Sequence, residues 1–327
     1  MQINLLIGAI AGLVSAMLFA SASTGTVLGL FVLFFLSPMP VAISGLGWGW
    51  RAAVAASATA AIAIALLGTS RGAIFHLVAI GAPTAILSYL ALLSREVASD
   101  TTAAHLEWYP LGRIVAWAAL IAGALAAVGL LATAADVDSL RAQLRSTAER
   151  VFAQPLGLPV PAGQPPGTPT TVSPEQLNGL TNVLVGMFTP ALSNMWLVIA
   201  MLNMWLAALV VRKSDRLIRP WPNLSALHLP PTFPLALAAS IAATFLPGFA
   251  GMIGAGFASA IILAYTLVGL AILHNVTVGW AARPLVLASA YTLLFVFYVI
   301  AGPALAIVAL AEPFFPLRRQ PPTSGTT

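Results

Sequence analysis

The chain has 327 residues, 60% of them hydrophobic and only 7% charged, with a formal net charge of +5 and a mean hydropathy of +0.96. Soluble domains carry about 25% charged residues, so an ordinary soluble protein is excluded. Cysteine is absent, which excludes disulfides and thiolate metal sites, and the excess of bases points to membrane topology and anionic lipid, with no nucleic acid expected as a partner.

A bilayer core about 30 Å thick needs about 20 apolar residues of helix, because lipid offers backbone N–H and C=O groups no partner. Nine stretches meet or approach that need: Ile3–Ala20, Thr26–Ser44, Ala52–Leu67, Gly72–Leu93, Ile114–Thr133, Met187–Val211, Phe233–Leu246, Gly251–His274 and Leu285–Leu310. Two are soft. Thr26–Ser44 holds Pro38 and Pro40, whose missing donors can break it into a short helix and a re-entrant piece. Phe233–Leu246 is short before Pro247 and Gly248, so it either tilts or dips in without crossing. The fold class is therefore all-α: a polytopic transmembrane helix bundle of eight or nine spans, with an amphipathic helix and a Pro-rich extramembrane loop. Met1-Gln2-Ile3-Asn4 lacks the basic region of a secretory signal, so the first span is expected to be retained.

The first span repeats small residues every four positions, Gly8, Gly12, Ala16 and Ala20, a pattern that lets helix backbones approach closely. The third repeats Ala52, Ala56 and Ala60, and Gly248, Gly251, Gly254 and Gly256 crowd the start of the eighth. Internal packing is the common use of such stripes. The fourth span carries His76 near its start.

After the fifth span comes a long extramembrane segment. Val137, Leu140, Leu144, Ala148 and Val151 recur at helical spacing there, with Arg141, Arg145, Glu149 and Arg150 on other faces. An amphipathic helix lying on the membrane or packing on the bundle is expected, its start carrying Asp136 and Asp138 to suit the helix dipole. Pro155, Pro159, Pro161, Pro165, Pro166 and Pro169 mark an extended linker. Ser173-Pro174-Glu175-Gln176 then reads as an N-cap, an N1 proline and a capping-box glutamine, starting a helix toward the sixth span. Gln320–Thr327 is a polar tail. The chain thus divides into N-terminal transmembrane helices over 1–134, the amphipathic helix and loop over 135–186, C-terminal transmembrane helices over 187–311 and a polar tail over 312–327.

Bases in short loops set the orientation. Arg212, Lys213, Arg216 and Arg219 form the densest cluster, and the positive-inside rule makes it cytoplasmic, together with Arg51, Arg95, Arg113, Arg283 and the N-terminus. Arg71 resists this scheme, and nine crossings would also put Arg318 and Arg319 outside. Trp48, Trp50, Trp108, Trp221 and Trp280 stand near span ends, as interfacial anchors do.

The acids, Glu96, Asp100, Glu107, Asp136, Asp138, Glu149, Glu175, Asp215 and Glu312, all avoid the middle of a span. Ion-coupled transporters use a buried titratable carboxylate, so a proton-driven pump is disfavoured. No H-E-x-x-H, G-x-S-x-G or phosphate-loop motif occurs. No catalytic residue, metal ligand or cofactor is therefore assigned, and the chain is not expected to be an enzyme. The candidates for substrate binding are His76, Asn194, Asn203, His274 and Asn275, because polar groups inside a bilayer must pair or line a cavity. For both histidines an interfacial structural role is the commoner outcome, and for the asparagines, interhelical bonding. Asn194-Met195-Trp196-Leu197 repeats as Asn203-Met204-Trp205-Leu206, which places the copies on opposite helix faces.

Pro38-Met39-Pro40 followed by Gly45-Leu46-Gly47-Trp48-Gly49-Trp50-Arg51, then Gly269-Leu270-Ala271-Ile272-Leu273-His274, and the closing Glu312–Arg319 segment resemble the YybS-like family of bacterial membrane proteins of unknown function. That family is distantly similar to the S components of energy-coupling-factor transporters, whose first helix meets a membrane partner through a small-residue surface. The resemblance implies the bacterial inner membrane as location and assigns Gly8, Gly12, Ala16 and Ala20 to such a partner contact. S components have about six helices and lack the long loop. Two functions follow as expectations: a small-solute-binding or permease-like subunit without its own ATPase, and alternatively a non-transporting scaffold for envelope-associated partners.

Overall fold

A computed structural model describes residues 2–21, 27–99, 102–153, 173–315 and 317–318. The proline-rich linker from Pro155 to Pro169 and the tail Gln320–Thr327 lie outside these. Helix dominates: α1 (Gln2–Ser21), α2 (Val27–Leu36), α3 (Pro38–Trp48), α4 (Trp50–Leu67), α5 (Ser70–His76), α6 (Ala82–Leu92), α7 (Leu111–Thr133), α8 (Val137–Ala153), α9 (Pro174–Lys213), α10 (Phe233–Ala243), α11 (Gly248–Val276), α12 (Arg283–Val296) and α13 (Tyr298–Ala311). A π-turn over Leu77–Gly81 joins α5 to α6. Among the described residues, six helical stretches are long and apolar enough to cross a membrane: α1, α4, α5 through α6, α7, α9 and α11.

The other three predicted spans are not single crossing helices. Thr26–Ser44 breaks at Ser37, because Pro38 has no N–H for the Phe34 carbonyl; that carbonyl accepts instead from the Ser37 N–H at 3.1 Å and the Ser37 hydroxyl at 2.7 Å. Phe233–Leu246 yields only the 11 residues of α10. Leu285–Leu310 breaks at Phe297, whose φ −126° and ψ 42° leave the helical region. The two resulting helices, α12 and α13, have 14 residues each, or about 21 Å at about 1.5 Å per residue. Thr266 donates to the Gly302 carbonyl at 2.9 Å, and Gly269 lies against the Leu305 backbone. Residue numbers rise together along both helices, so α13 runs in the direction of α11. Since α12 starts where α11 ends, the chain turns back at Phe297. The all-α expectation needs one further correction. Between α6 and α7 an antiparallel pair, β1 (Ser94–Ser99) and β2 (Thr102–Trp108), sets Arg95 opposite Glu107, with an ion pair of 2.6 Å.

The described residues cluster into two compact units, one of Met1–Ile121, Met195–Pro234 and Ile261–Thr327, the other of Ala122–Asn194 and Leu235–Ala260. In the first, α1 and α4 run parallel in register: Gly8 meets the Ala52 carbonyl and Gly12 that of Ala56, while Ala16 joins Ala60, Ile64 and Ala73 in one cluster. Parallel packing requires α2 and α3 to return the chain, and Asn4 bonds the Trp48 carbonyl at 3.0 Å. The two small-residue stripes therefore face each other. Ala20 is exposed.

In the second unit α8 seats Leu140, flanked by Val137 and Leu144, on Leu130, Ala134 and Val185. The amphipathic helix thus packs on the bundle. Reciprocal bonds cap it: the Ser139 N–H donates to Asp136 Oδ1 at 2.7 Å and the Asp136 N–H to Ser139 Oγ at 3.1 Å. The bond from the Ser139 N–H, aided by the Ser139 hydroxyl, holds the Asp136 carboxyl below its ordinary pKa of 3.8. The Ser173–Gln176 capping box forms at the start of α9, with bonds of 3.0 and 3.2 Å. Gly248, at φ +67°, turns α10 into α11, and Gly251 and Gly254 let the two helices close on each other.

Candidate binding cavity

Within the first unit, three helix faces converge around an open volume of about 540 Å³, inside the range of about 300–1,000 Å³ of small-molecule pockets. On α9 the lining residues are Met201, Met204, Trp205 and Ala208; on α11 they are Leu267, Leu270, Ala271 and His274. Both sets follow the i, i+3, i+4, i+7 spacing that aligns side chains on one helix face. Leu111, Ile114 and Val115 add the start of α7, and Tyr291 comes from α12. The walls are chiefly apolar. The loop from Leu217 to Leu227 covers one end with Arg219, Trp221 and Ser225.

That loop is clasped from the far end of the chain. Arg318 donates to the carbonyls of Ser225 at 2.8 Å and Leu227 at 2.7 Å, and its Nε pairs with Glu312 Oε1 at 2.7 Å. The side chains of the pair are only 10% and 11% exposed. The closing Glu312–Arg319 segment singled out in the sequence therefore includes a structural clasp. Arg212 stacks over Trp221 at 4.8 Å, holding the loop to the end of α9.

Few polar groups reach the cavity. His274 Nε2 and the Tyr291 hydroxyl lie 3.0 Å apart. Arg219 is half-buried, and Nη1 gives one long bond, 3.3 Å, to the Ala91 carbonyl. Burial pushes the guanidinium below the ordinary arginine pKa. Among the described residues no carboxylate forms an ion pair with it.

Of the five residues proposed from sequence, only His274 lines the cavity, and the structure does not bring the five together. Asn275 is half-buried beside it on α11, and Asn194 is half-buried on the part of α9 that belongs to the second unit. His76, at the end of α5, is fully buried against Ser15 and Phe19 of α1. The Ser15 hydroxyl donates to the Ser37 carbonyl at 2.7 Å, so His76 Nε2, 2.9 Å from Ser15 Oγ, is the donor of that second bond. Asn203 donates through Nδ2 to the Phe35 carbonyl at 2.7 Å and to Ile199 at 2.8 Å. Trp196 Nε1 donates at 2.7 Å to the Ala79 carbonyl, which Pro83 leaves without its helical partner. Trp196 thus serves a carbonyl freed by a proline, Asn203 a carbonyl beside the Ser37 break, and His76 the hydroxyl of Ser15. Arg219, Trp205 and Tyr291 escaped sequence reasoning as site residues. Arg219 was visible only as a topology signal, although a base followed by Pro220-Trp221-Pro222 marks a constrained loop. Among the described residues no group of three His, Asp or Glu is placed to hold a metal ion.

Long apolar helices gathered around a lined cavity define a multi-pass helical membrane protein. The chain matches the family described as Predicted membrane protein (DUF2232) over residues 13–311, and it belongs to that family. No curated protein and no solved structure matches it.

Proposed function

We propose that this protein is a multi-pass subunit of the bacterial inner membrane that binds a small solute in the cavity between α7, α9 and α11, without an ATPase or catalytic activity of its own. The cavity carries the reading: a volume of about 540 Å³ bounded by apolar helix faces and capped by an anchored loop is a binding site in form. Eight crossings fit the packing: the six long stretches, α2 with α3 in tandem, and the short α10 with the extended segment before it. The α12–α13 pair then enters and leaves on one side. An even count puts both chain ends on the side of the basic Arg212–Arg219 loop, which agrees with the clasp of Arg318 on Ser225 and Leu227. By the positive-inside rule that side is cytoplasmic.

Mass spectrometry of small molecules extracted from purified protein tests the reading. A defined species is expected in about one copy per chain, and it should be lost from Ala208→Trp, which fills the cavity. A folded wild type that carries nothing, in which Ala208→Trp changes no co-purifying species, would turn the assignment toward the scaffold alternative.

A further inference from the structure

We infer that the solute is an anionic amphiphile, its apolar body lying along Met201, Met204 and Leu270 and its phosphate or carboxylate head held by Arg219. This inference rests on the binding function proposed above and names its ligand class. Three observations carry it. First, apart from His274, the walls contributed by α7, α9 and α11 are hydrocarbon, thioether and indole, so a fully hydrophilic solute would forfeit most of its hydration without replacement bonds. Second, the polar lining is uneven in charge: Arg219 stands at the loop end, the other polar lining groups are Ser225, His274 and Tyr291, and none of the described lining residues is an acid. Third, Arg219 is held half-buried and committed to a single long bond to Ala91, whereas Arg95, Arg141, Arg145 and Arg318 all pair with carboxylates. A guanidinium presents five donors in a planar fork matched to phosphate and carboxylate oxygens. A half-buried cation with most of its donors uncommitted within the protein therefore selects an anion.

The test uses the full chain in lipid nanodiscs, with dodecyl phosphate, dodecanol, dodecyltrimethylammonium and inorganic phosphate as probes and thermal unfolding as the readout. Dodecyl phosphate should stabilise the wild type at concentrations where inorganic phosphate and dodecyltrimethylammonium do not. Arg219→Gln should weaken its apparent affinity by roughly tenfold to a hundredfold, the range of a charge-assisted hydrogen bond, leaving it no better than dodecanol. Arg219→Lys should keep the preference for anions, and Arg216→Gln, outside the cavity, should behave as wild type. Equal stabilisation by dodecanol, dodecyltrimethylammonium and dodecyl phosphate would overturn the head-group assignment while leaving a solute cavity standing. Inorganic phosphate acting as well as dodecyl phosphate would overturn the amphiphile in favour of a free anion. Stabilisation by none of the four would overturn the amphiphile class, and the extraction experiment then decides separately whether any solute is bound.

Discussion

The α1–α4 seam and the cavity between α7, α9 and α11 are built from the same kind of helix, apolar over most of its length, and they use it in opposite ways. Along the seam Ala52, Ala56 and Ala60 are fully buried, and Gly8 and Gly12 put one backbone against the other. Around the cavity the facing positions hold Met201, Met204, Trp205, Leu267 and Leu270, and the helices stand apart. Association in lipid relies on dispersion and close backbone approach, since lipid tails are as apolar as leucine. Small residues thus make a closed seam, and long ones make walls that need further support. The Arg318 clasp and the Pro220-Trp221-Pro222 loop supply that support at the cavity. The seam also absorbs the stripe that the resemblance to S components assigned to a partner: Gly8, Gly12 and Ala16 are buried against α4 and α5.

Adding one side chain to each region breaks or sharpens this comparison. A Cβ at position 12 would collide with the Ala56 carbonyl, which cannot swing away as a side-chain end can. Gly12→Leu should therefore cost more than about 3 kcal/mol, the upper end for overpacking, and sharply reduce the yield of folded protein. Ala208→Leu adds its side chain toward open volume and should change stability by less than about 1 kcal/mol. Equal losses in denaturant titrations of the two variants would mean that the regions do not differ in packing.

The clasp comes next in size. Arg318→Met leaves the Glu312 carboxylate nearly buried without its cation and frees the carbonyls of Ser225 and Leu227. Breaking such a pair costs about 3–5 kcal/mol when fully buried; with the remaining exposure, and with the damage confined to one loop, about 2 kcal/mol is expected. Limited trypsin digestion reads the loop directly. Cleavage after Arg216, at the start of the loop, should quicken in Arg318→Met but not in Arg319→Met, whereas the Arg219–Pro220 bond resists trypsin in every variant. An unchanged digestion pattern would show that the loop is held by other contacts.

Smaller again is the bond from Asn203 to Phe35, one of the repairs at the α2–α3 break. Asn203→Leu removes a buried donor from a carbonyl of a broken helix, at a cost of about 1–2 kcal/mol. Unlike Arg219→Gln, it should leave dodecyl phosphate binding intact. Loss of that binding in a stably folded Asn203→Leu would move the solute site to the α2–α3 break.

These residues show what the sequence made legible. Length and hydropathy alone identify the six long stretches, because lipid forces every backbone group into an internal bond. Pro38 and Pro40 announced the first break. Phe297 did not, since Leu293-Leu294-Phe295-Val296-Phe297-Tyr298-Val299-Ile300 is unbroken apolar sequence, and the turn is set by the packing of α13 on α11. The β1–β2 pair was hidden in a short polar connection whose bases read as topology. His76 and Asn203 were visible as buried polar groups, but their use depended on which partners packing brought to them, the Ser15 hydroxyl for His76 and the Phe35 carbonyl beside the Ser37 break for Asn203. The cavity was least legible. Leu267, Leu270, Ala271 and His274 on α11 have the spacing of any packed face, and empty volume depends on how helices are held apart, which no single helix records.

The smallest expected effect lies at the start of α8, in the second unit, and it has a definite sign. Bonds from Ser139 lower the Asp136 pKa below the ordinary 3.8, so the folded state prefers the ionised form. Its contribution is complete above 3.8 and is lost as pH falls through the lower folded value. Hydrogen exchange at the Ser139 amide, which bonds Asp136 Oδ1, should therefore accelerate relative to intrinsic exchange only once pH drops below that ordinary value. Asp136→Asn keeps an acceptor but cannot titrate, so its protection should not change across the same window. Asp136→Ala should leave the first turn frayed at every pH, and the Leu140 contacts should keep the remainder of α8 in place. If wild type and Asp136→Asn share one pH profile, the acid sensitivity of this turn arises from another group.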